Sequence, residues 1–230
     1  EAQKHGRDRH IYSLAMKTYL FFDLDGTLTN PELGITTCVQ YALASFGIDV
    51  ADRKLLRPFI GPPLKESFMH YYGLSEADAD SAIAKYRERF SSIGLYENKV
   101  YQGIPEVLSL LSSRGQILCV STSKPTCYAQ QILEHFQLLD YFTHICGSNL
   151  DGSRVKKGEV IAYTLEQCGS PAPCQVKMIG DRKHDILGAR QNQLSSIGVL
   201  YGYGSAEELQ NAGADALAKT PQDLESLCLF

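Results

Sequence analysis

Short apolar runs recur along this chain, and the most compact of them, YLFF at residues 19–22, stops at two acids, Asp23 and Asp25. KTYLFFDLD reads as a buried strand that GTLTNP then breaks. GQILCVST (115–122), THICGS (143–148), QVKMIGD (175–181) and SSIGVLYG (195–202) predict further strands. Helical patterns lie between them: IPEVLSLLSSRG, TCYAQQILEHFQLL, KGEVIAYTLEQCG and DILGARQNQ. Several end in glycine, a frequent helix stop. Strand and helix alternate from about residue 99 onward, which predicts an α/β fold with a Rossmann-like parallel sheet and helices on both faces.

Residues 31–98 break that rhythm. ELGITTCVQYALASFG, ADRKLLRPFIG, PLKESFMHYYG and SEADADSAIAKYRERFSS read as consecutive helices with no strong strand between them. Ser75 and Asp78 stand at capping-box spacing before the last. The economical organisation is an α/β core over 16–30 and 99–230, interrupted by an inserted all-helical subdomain over 31–98. Residues 1–15 mix charges of both signs and lack the apolar stretch of a signal peptide. They are expected to be a disordered or appended leader ahead of Met16.

Composition narrows the picture. With 44% hydrophobic and 21% charged residues, the chain has the make-up of an ordinary globule. A net charge of −4 advertises no nucleic-acid polymer as a partner. No run approaches the ~20 apolar residues of a membrane span. The cysteine count is odd, seven, with no CxxC pair, so reduced thiols in a cytoplasmic protein are expected rather than a disulfide framework. The six histidines form no HxxxH or HxH cluster, which argues against zinc.

The candidate chemistry lies where the strands end. In an open parallel sheet the carboxyl ends face the ligand crevice. There the sequence puts Asp23 and Asp25, then Ser121, Thr122, Ser123 and Lys124, then Arg154, Lys156 and Lys157, and finally Asp181, Arg182 and Asp185. Like charges near a core are costly unless something positive joins them. Mg²⁺ takes one or two carboxylates plus waters and phosphate oxygens, and a phosphoryl group takes hydroxyl donors and a lysine. Read singly, the acids could be turn or helix-cap residues and Lys157 a solvated lysine.

Taken together, FFDLDGTLT, VSTSK, Lys157 in DGSRVKKGEVI, and MIGDRKHD resemble the four motifs of the haloacid dehalogenase superfamily, in the family's order. Residues 31–98 fall where that family carries a helical cap. The resemblance implies Asp23 as nucleophile, Asp25 as acid and base, and Mg²⁺ held by Asp23, Asp181, Asp185 and the backbone carbonyl of Asp25. It further implies Thr122, the Ser123 amide and the amides near Gly26 and Thr27 around the phosphate, with Lys157 stabilising its charge. Ser121 stands as an alternative to Thr122, and Lys156 to Lys157. Arg182 and His184 are open between phosphate contact and helix capping.

Asp25 separates the members of the superfamily. Its dehalogenases lack an acid/base Asp at this place, and its phosphonatases use a cap lysine, for which nothing marks Lys54 or Lys65. A phosphomonoester hydrolase acting on a small phosphorylated metabolite is therefore expected, with a mutase of the β-phosphoglucomutase type, or a non-enzymatic binding protein on the same fold, as alternatives. The chain is similar to the branch of phosphoglycolate phosphatases and 5′-nucleotidases. It lacks the KPxP third motif of the former, which points towards a nucleoside 5′-monophosphate. Arg57, Lys65 and the Gly61-Pro62-Pro63 turn are expected to shape the leaving-group pocket, Tyr71 and Tyr72 to pack, and hinges to lie near Asn30-Pro31 and Asn98 to Tyr101. A monomer or homodimer is expected.

Overall fold

The computed structural model describes residues 17–229; the expected leader, 1–15, and Met16 lie outside them. β1 (Tyr19–Phe22) is followed by a two-residue strand, β2 (Thr29–Asn30), and a helical insertion: α1 (Glu32–Ala44), a 3₁₀ segment (Arg53–Phe59), α2 (Leu64–Tyr72) and α3 (Glu76–Arg89). The chain returns through β3 (Lys99–Val100) to α4 (Ile104–Ser113), β4 (Ile117–Pro125), α5 (Thr126–His135), β5 (His144–Ser148) and α6 (Lys157–Gln167). It ends with β6 (Val176–Gly180), α7 (Lys183–Gln191), β7 (Ser195–Val199), α8 (Ala206–Ala212), β8 (Ala216–Ala218) and α9 (Leu224–Leu227).

Six strands form one parallel sheet in the order β5-β4-β1-β6-β7-β8. The chain starts in the middle and builds outwards, first one way and then the other. β1 is thus flanked by β4 and β6, and the acids after β1, the hydroxyls of β4 and the acids after β6 reach one edge. This is the switch point at which open sheets bind ligands.

Strand alternation sets the two faces. Leu20, Phe22, Leu118 and Val120 pack on one side with Val107, Leu108 and Leu111 of α4 and Ile132 and Leu133 of α5. Phe21, Cys119, Val176 and Met178 pack on the other with Ile161 of α6 and Ala189 of α7. The fully apolar reading of YLFF follows from this, because both faces of β1 are covered.

The insertion is helical, with two departures from the regular helices read in the sequence, one of them a π-helical stretch at Phe90–Gly94 that ends α3 early. Residues 53–59 wind as a 3₁₀ segment rather than a regular helix, with Pro58 inside and the Asp52 side chain accepting from the Lys54 amide. Ser75 caps α3 by accepting from the Asp78 amide, and its hydroxyl donates to the Asp78 carboxylate. The segments expected to act as hinges pair with each other: β2 and β3 form an antiparallel ribbon, Thr29 opposite Val100 and Asn30 opposite Lys99.

Candidate active site

Asp23 follows β1 directly, and its amide still donates to the Ile179 carbonyl of β6. Its Oδ1 accepts from the Leu24 amide at 2.8 Å and from Lys157 Nζ at 2.8 Å. The same ammonium lies 2.9 Å from Asp185 Oδ1 and donates to the Ser121 carbonyl at 3.1 Å. Asp23, Asp181 and Asp185 are all buried, and each offers a carboxylate oxygen within 4.8 Å of the others. Lys157 starts α6 and its ammonium reaches this group; Lys156, Lys157 and His184 together line a neighbouring cavity, and the two acid contacts are those of Lys157. Geometry therefore separates the two lysines.

It separates the two hydroxyls as well. Ser121 Oγ accepts from Thr164 Oγ1 of α6 at 3.0 Å. The register of β4 against β5 shifts beyond Ser121, and such an irregularity re-aims the side chains that follow. Thr122 is buried, with its Oγ1 accepting from the Lys124 amide.

Three carboxylates beside one ammonium make an electrostatic deficit. Burial pushes Asp181 well above the usual carboxylate range, and the charges of Asp185 and Asp23 add to it. Asp185 is pushed up to about 6, first by burial, with Lys157 pulling the other way. Burial alone would lower the Lys157 pKa, but Asp185 and Asp23 more than reverse this and hold it above the ordinary lysine value. Asp181 Oδ2 accepts from the Tyr203 amide at 2.8 Å, and its buried Oδ1 has no protein partner. An unpaired oxygen in an acidic, oxygen-only cluster fits a hard divalent cation. Protons compete with such an ion for Asp185. Metal affinity should therefore fall as pH drops through about 6, and binding near that pH should release protons, read as a buffer-dependent heat in titration calorimetry. An affinity that stays flat from about pH 5 to pH 8 would contradict this reading.

Asp25 is separate from that cluster. Its Oδ2 pairs with Lys124 Nζ at 2.9 Å, and burial raises its pKa despite that partner. Sequence reasoning put Lys124 at the end of the strand without giving it a role. The ammonium also lies 4.4 Å from the centre of the Phe90 ring, which belongs to the insertion. No local pattern joins residues 25, 90 and 124; only the fold does.

Gly26 has a φ of +84°, and a Cβ there would lie 2.2 Å from Asp181 Oδ2. Gly26→Ala should accordingly displace Asp181, and the predicted outcome is a metal affinity at least ~10-fold weaker, measured by calorimetry. Thr27 beside it is fully buried, and its Oγ1 has no partner.

A cavity of about 580 Å³ opens between the insertion and the core, onto Asp25, Ser123 and Lys124. Phe59, Met69, Ile83, Tyr86, Phe90 and Tyr128 give it an apolar wall, and Lys65 lies on its rim, paired with Asp80 at 2.9 Å. Gly61, Pro62 and Pro63 line it as expected. Arg57 does not. Its guanidinium pairs with Glu32 of α1 at 2.8 Å and stays largely exposed, outside the lining of this cavity. Arg182 also turns elsewhere, to Glu208 Oε1 at 3.0 Å and the Ile60 carbonyl at 2.9 Å, tying the core to the insertion.

Comparison with known proteins bears on this geometry. The family model of haloacid dehalogenase-like hydrolases matches residues 20–199. The chain belongs to that family. A 5′-nucleotidase of Pseudomonas aeruginosa is 52% identical over 191 residues, covering 83% of this chain and 86% of the relative. Tyrosine-protein kinase PtkA of Mycobacterium tuberculosis is 38% identical over 188 residues, 82% of this chain and 64% of the relative. A phosphoglycolate phosphatase of Agrobacterium fabrum is 30% identical over 187 residues, covering 79% of this chain and 80% of the relative. Among solved structures, that of a Clostridium acetobutylicum protein described as a predicted phosphatase superposes with a TM-score of 0.90 at 48% identity, covering 93% of this chain and 99% of the other. This hydrolase is thus a member with relatives named for several phosphoryl-group activities. Among the described residues no helix is long and apolar enough to cross a membrane.

Proposed function

We propose that the chain is a Mg²⁺-dependent phosphomonoester hydrolase working through an aspartyl-phosphate intermediate. The observation that carries this is the meeting of Asp23, Asp181 and Asp185 within 4.8 Å, with Lys157 on two of them. Asp23 attacks phosphorus, and its carboxylate oxygen forms the new bond as the ester oxygen leaves. Asp25 gives that oxygen its proton, then takes one from the water that hydrolyses the acyl phosphate. The raised pKa of Asp25 suits the first of these tasks. Lys157, Thr122 and the amides of Ser123, Gly26 and Thr27 hold the equatorial oxygens. Asp23, Asp181, Asp185 and the Asp25 carbonyl would hold Mg²⁺, which when bound supplies positive charge between an anionic nucleophile and an anionic substrate.

Residues 31–98 are proposed to act as a cap on a core of 16–30 and 99–230, swinging on the β2–β3 ribbon and excluding water when closed. For the leaving group we propose a nucleoside. The cavity of about 580 Å³ is far larger than a two-carbon acid needs, and its aromatic wall suits a base. A relative 52% identical to this chain is named a 5′-nucleotidase. Free thiols throughout are in keeping with a cytoplasmic enzyme.

The first test is hydrolysis of p-nitrophenyl phosphate with and without Mg²⁺, followed by a panel of phosphate esters. Nucleoside 5′-monophosphates should exceed phosphoglycolate by at least about 10-fold in kcat/KM, with free phosphate accumulating. The reverse order would return the assignment to phosphoglycolate. An isomerised sugar phosphate without free phosphate would make the chain a mutase.

A further inference from the structure

Two thiols that the reaction does not use lie on the far end of the seam that carries Lys157. Lys157, Ile161, Thr164 and Cys168 are spaced 4, 3 and 4 residues apart, one stripe of α6 and its C-cap. β4 answers with Cys119 and Ser121, two residues apart and so on one face. The contacts run in order along the seam: Lys157 Nζ to the Ser121 carbonyl, Thr164 Oγ1 to Ser121 Oγ, and Cys168 Sγ to Cys119 Sγ at 3.5 Å.

We propose that Cys119 and Cys168 form a reversible oxidation site, a dithiol that closes to a disulfide when a hydroperoxide reaches Cys168.

The two sulfurs differ in the way this chemistry needs. Cys119 is fully buried among Phe21, Ile161 and Met178, whereas Cys168 is half-buried at the end of its helix. Either sulfur can donate the S–H they share; the contact and then burial push the Cys119 thiol up, and the contact pulls the Cys168 thiol down. The accessible sulfur, Cys168, is the one a hydroperoxide meets first, and the buried Cys119 is held beside it as the resolving thiol. Bonded sulfurs sit about 2.05 Å apart, so closure requires roughly 1.5 Å of approach. Cys168 is followed by Gly169 and Ser170, both at positive φ. The approach can therefore be made by the last residues of α6 without moving Lys157, about 16 Å away along the helix.

The steps balance. The Cys168 thiolate attacks one peroxide oxygen, the O–O bond breaks, and hydroxide leaves, giving a sulfenic acid. The Cys119 sulfur then attacks Cys168, its proton leaves with the hydroxyl as water, and the S–S bond forms. The two thiols lose two electrons in total, and an external dithiol returns them.

Cys127 and Cys174 are exposed and would react on their own account, so the test uses the full chain with Cys127→Ser and Cys174→Ser. The protein is titrated with hydrogen peroxide, blocked with N-ethylmaleimide in denaturant, and mapped by peptide mass spectrometry. The expected result is loss of two of the five remaining thiols and a 119–168 cross-linked peptide about 2 Da lighter than its parts, reversed by dithiothreitol. Cys168→Ser in the same background should leave Cys119 alkylatable. Cys146, also buried on β5, is the competing partner. A 146–168 link would overturn the assignment. So would Cys168 advancing to the sulfinate with Cys119 still a thiol, or both thiols surviving peroxide that consumes free cysteine.

Discussion

Asp23→Asn should lower kcat for any phosphomonoester substrate by at least about 10³-fold, because the group that forms the bond to phosphorus is gone. The fold should survive. Asn keeps the shape of Asp, and its Oδ1 can still accept from the Leu24 amide and from Lys157, as Asp23 does. The substitution also removes one of the charges that push Asp181 and Asp185 up, so both acids should deprotonate at lower pH than in the parent. Steady-state kinetics and thermal melts with and without Mg²⁺ check the two parts. Turnover within about 10-fold of the parent would remove Asp23 from the chemistry.

Lys157→Met should be costly in both activity and stability. In turnover, losing a charged donor aimed at the phosphoryl group costs about 10²–10³-fold. In stability, Met fills a similar volume, but two buried carboxylates, Asp23 and Asp185, lose their common cation. Breaking a buried ion pair costs about 3–5 kcal/mol, which for a chain of this size corresponds to a fall in Tm of roughly 10 °C without metal. Mg²⁺ should restore much of that loss, since it answers the same charge deficit. The pH dependence has a definite sign. The folded-state pKa of Lys157 is raised, so its contribution is fully present below the ordinary lysine pKa and is lost only as pH rises through the higher folded value. Across the neutral range the deficit of the variant should be smallest at low pH, where Asp185 and Asp181 can take up protons. A variant as stable as its parent in chelator would mean that Lys157 does not hold the acids together.

Much of this was legible in the sequence because the motif residues sit at the ends of strands, and strand ends are visible as the edges of apolar runs. Phe21 and Phe22 face opposite sides of a covered sheet, so YLFF could only be a buried strand. The short elements were not legible. β2, β3 and β8 span two or three residues each, too few for any periodicity, and they exist because neighbouring strands are there to pair with. The pairing of Arg57 with Glu32 was not legible for a related reason. Arg57 lies in a segment whose 3₁₀ winding turns it towards Glu32, and helical spacing cannot foresee that. Lys124 was visible as a residue but not as the partner of Asp25, because residues 25 and 124 are brought together by β1 lying beside β4.

In the proposed mechanism, Asp23 and Asp181, acids from two separate loops, share one ion beside Lys157. The most direct measurement is a crystal soaked in Mn²⁺ and examined by anomalous diffraction. One strong anomalous peak within about 2.5 Å of carboxylate oxygens of both Asp23 and Asp181 is the predicted result. A crystal with no peak there, or with manganese bound only at other acids, would contradict the account.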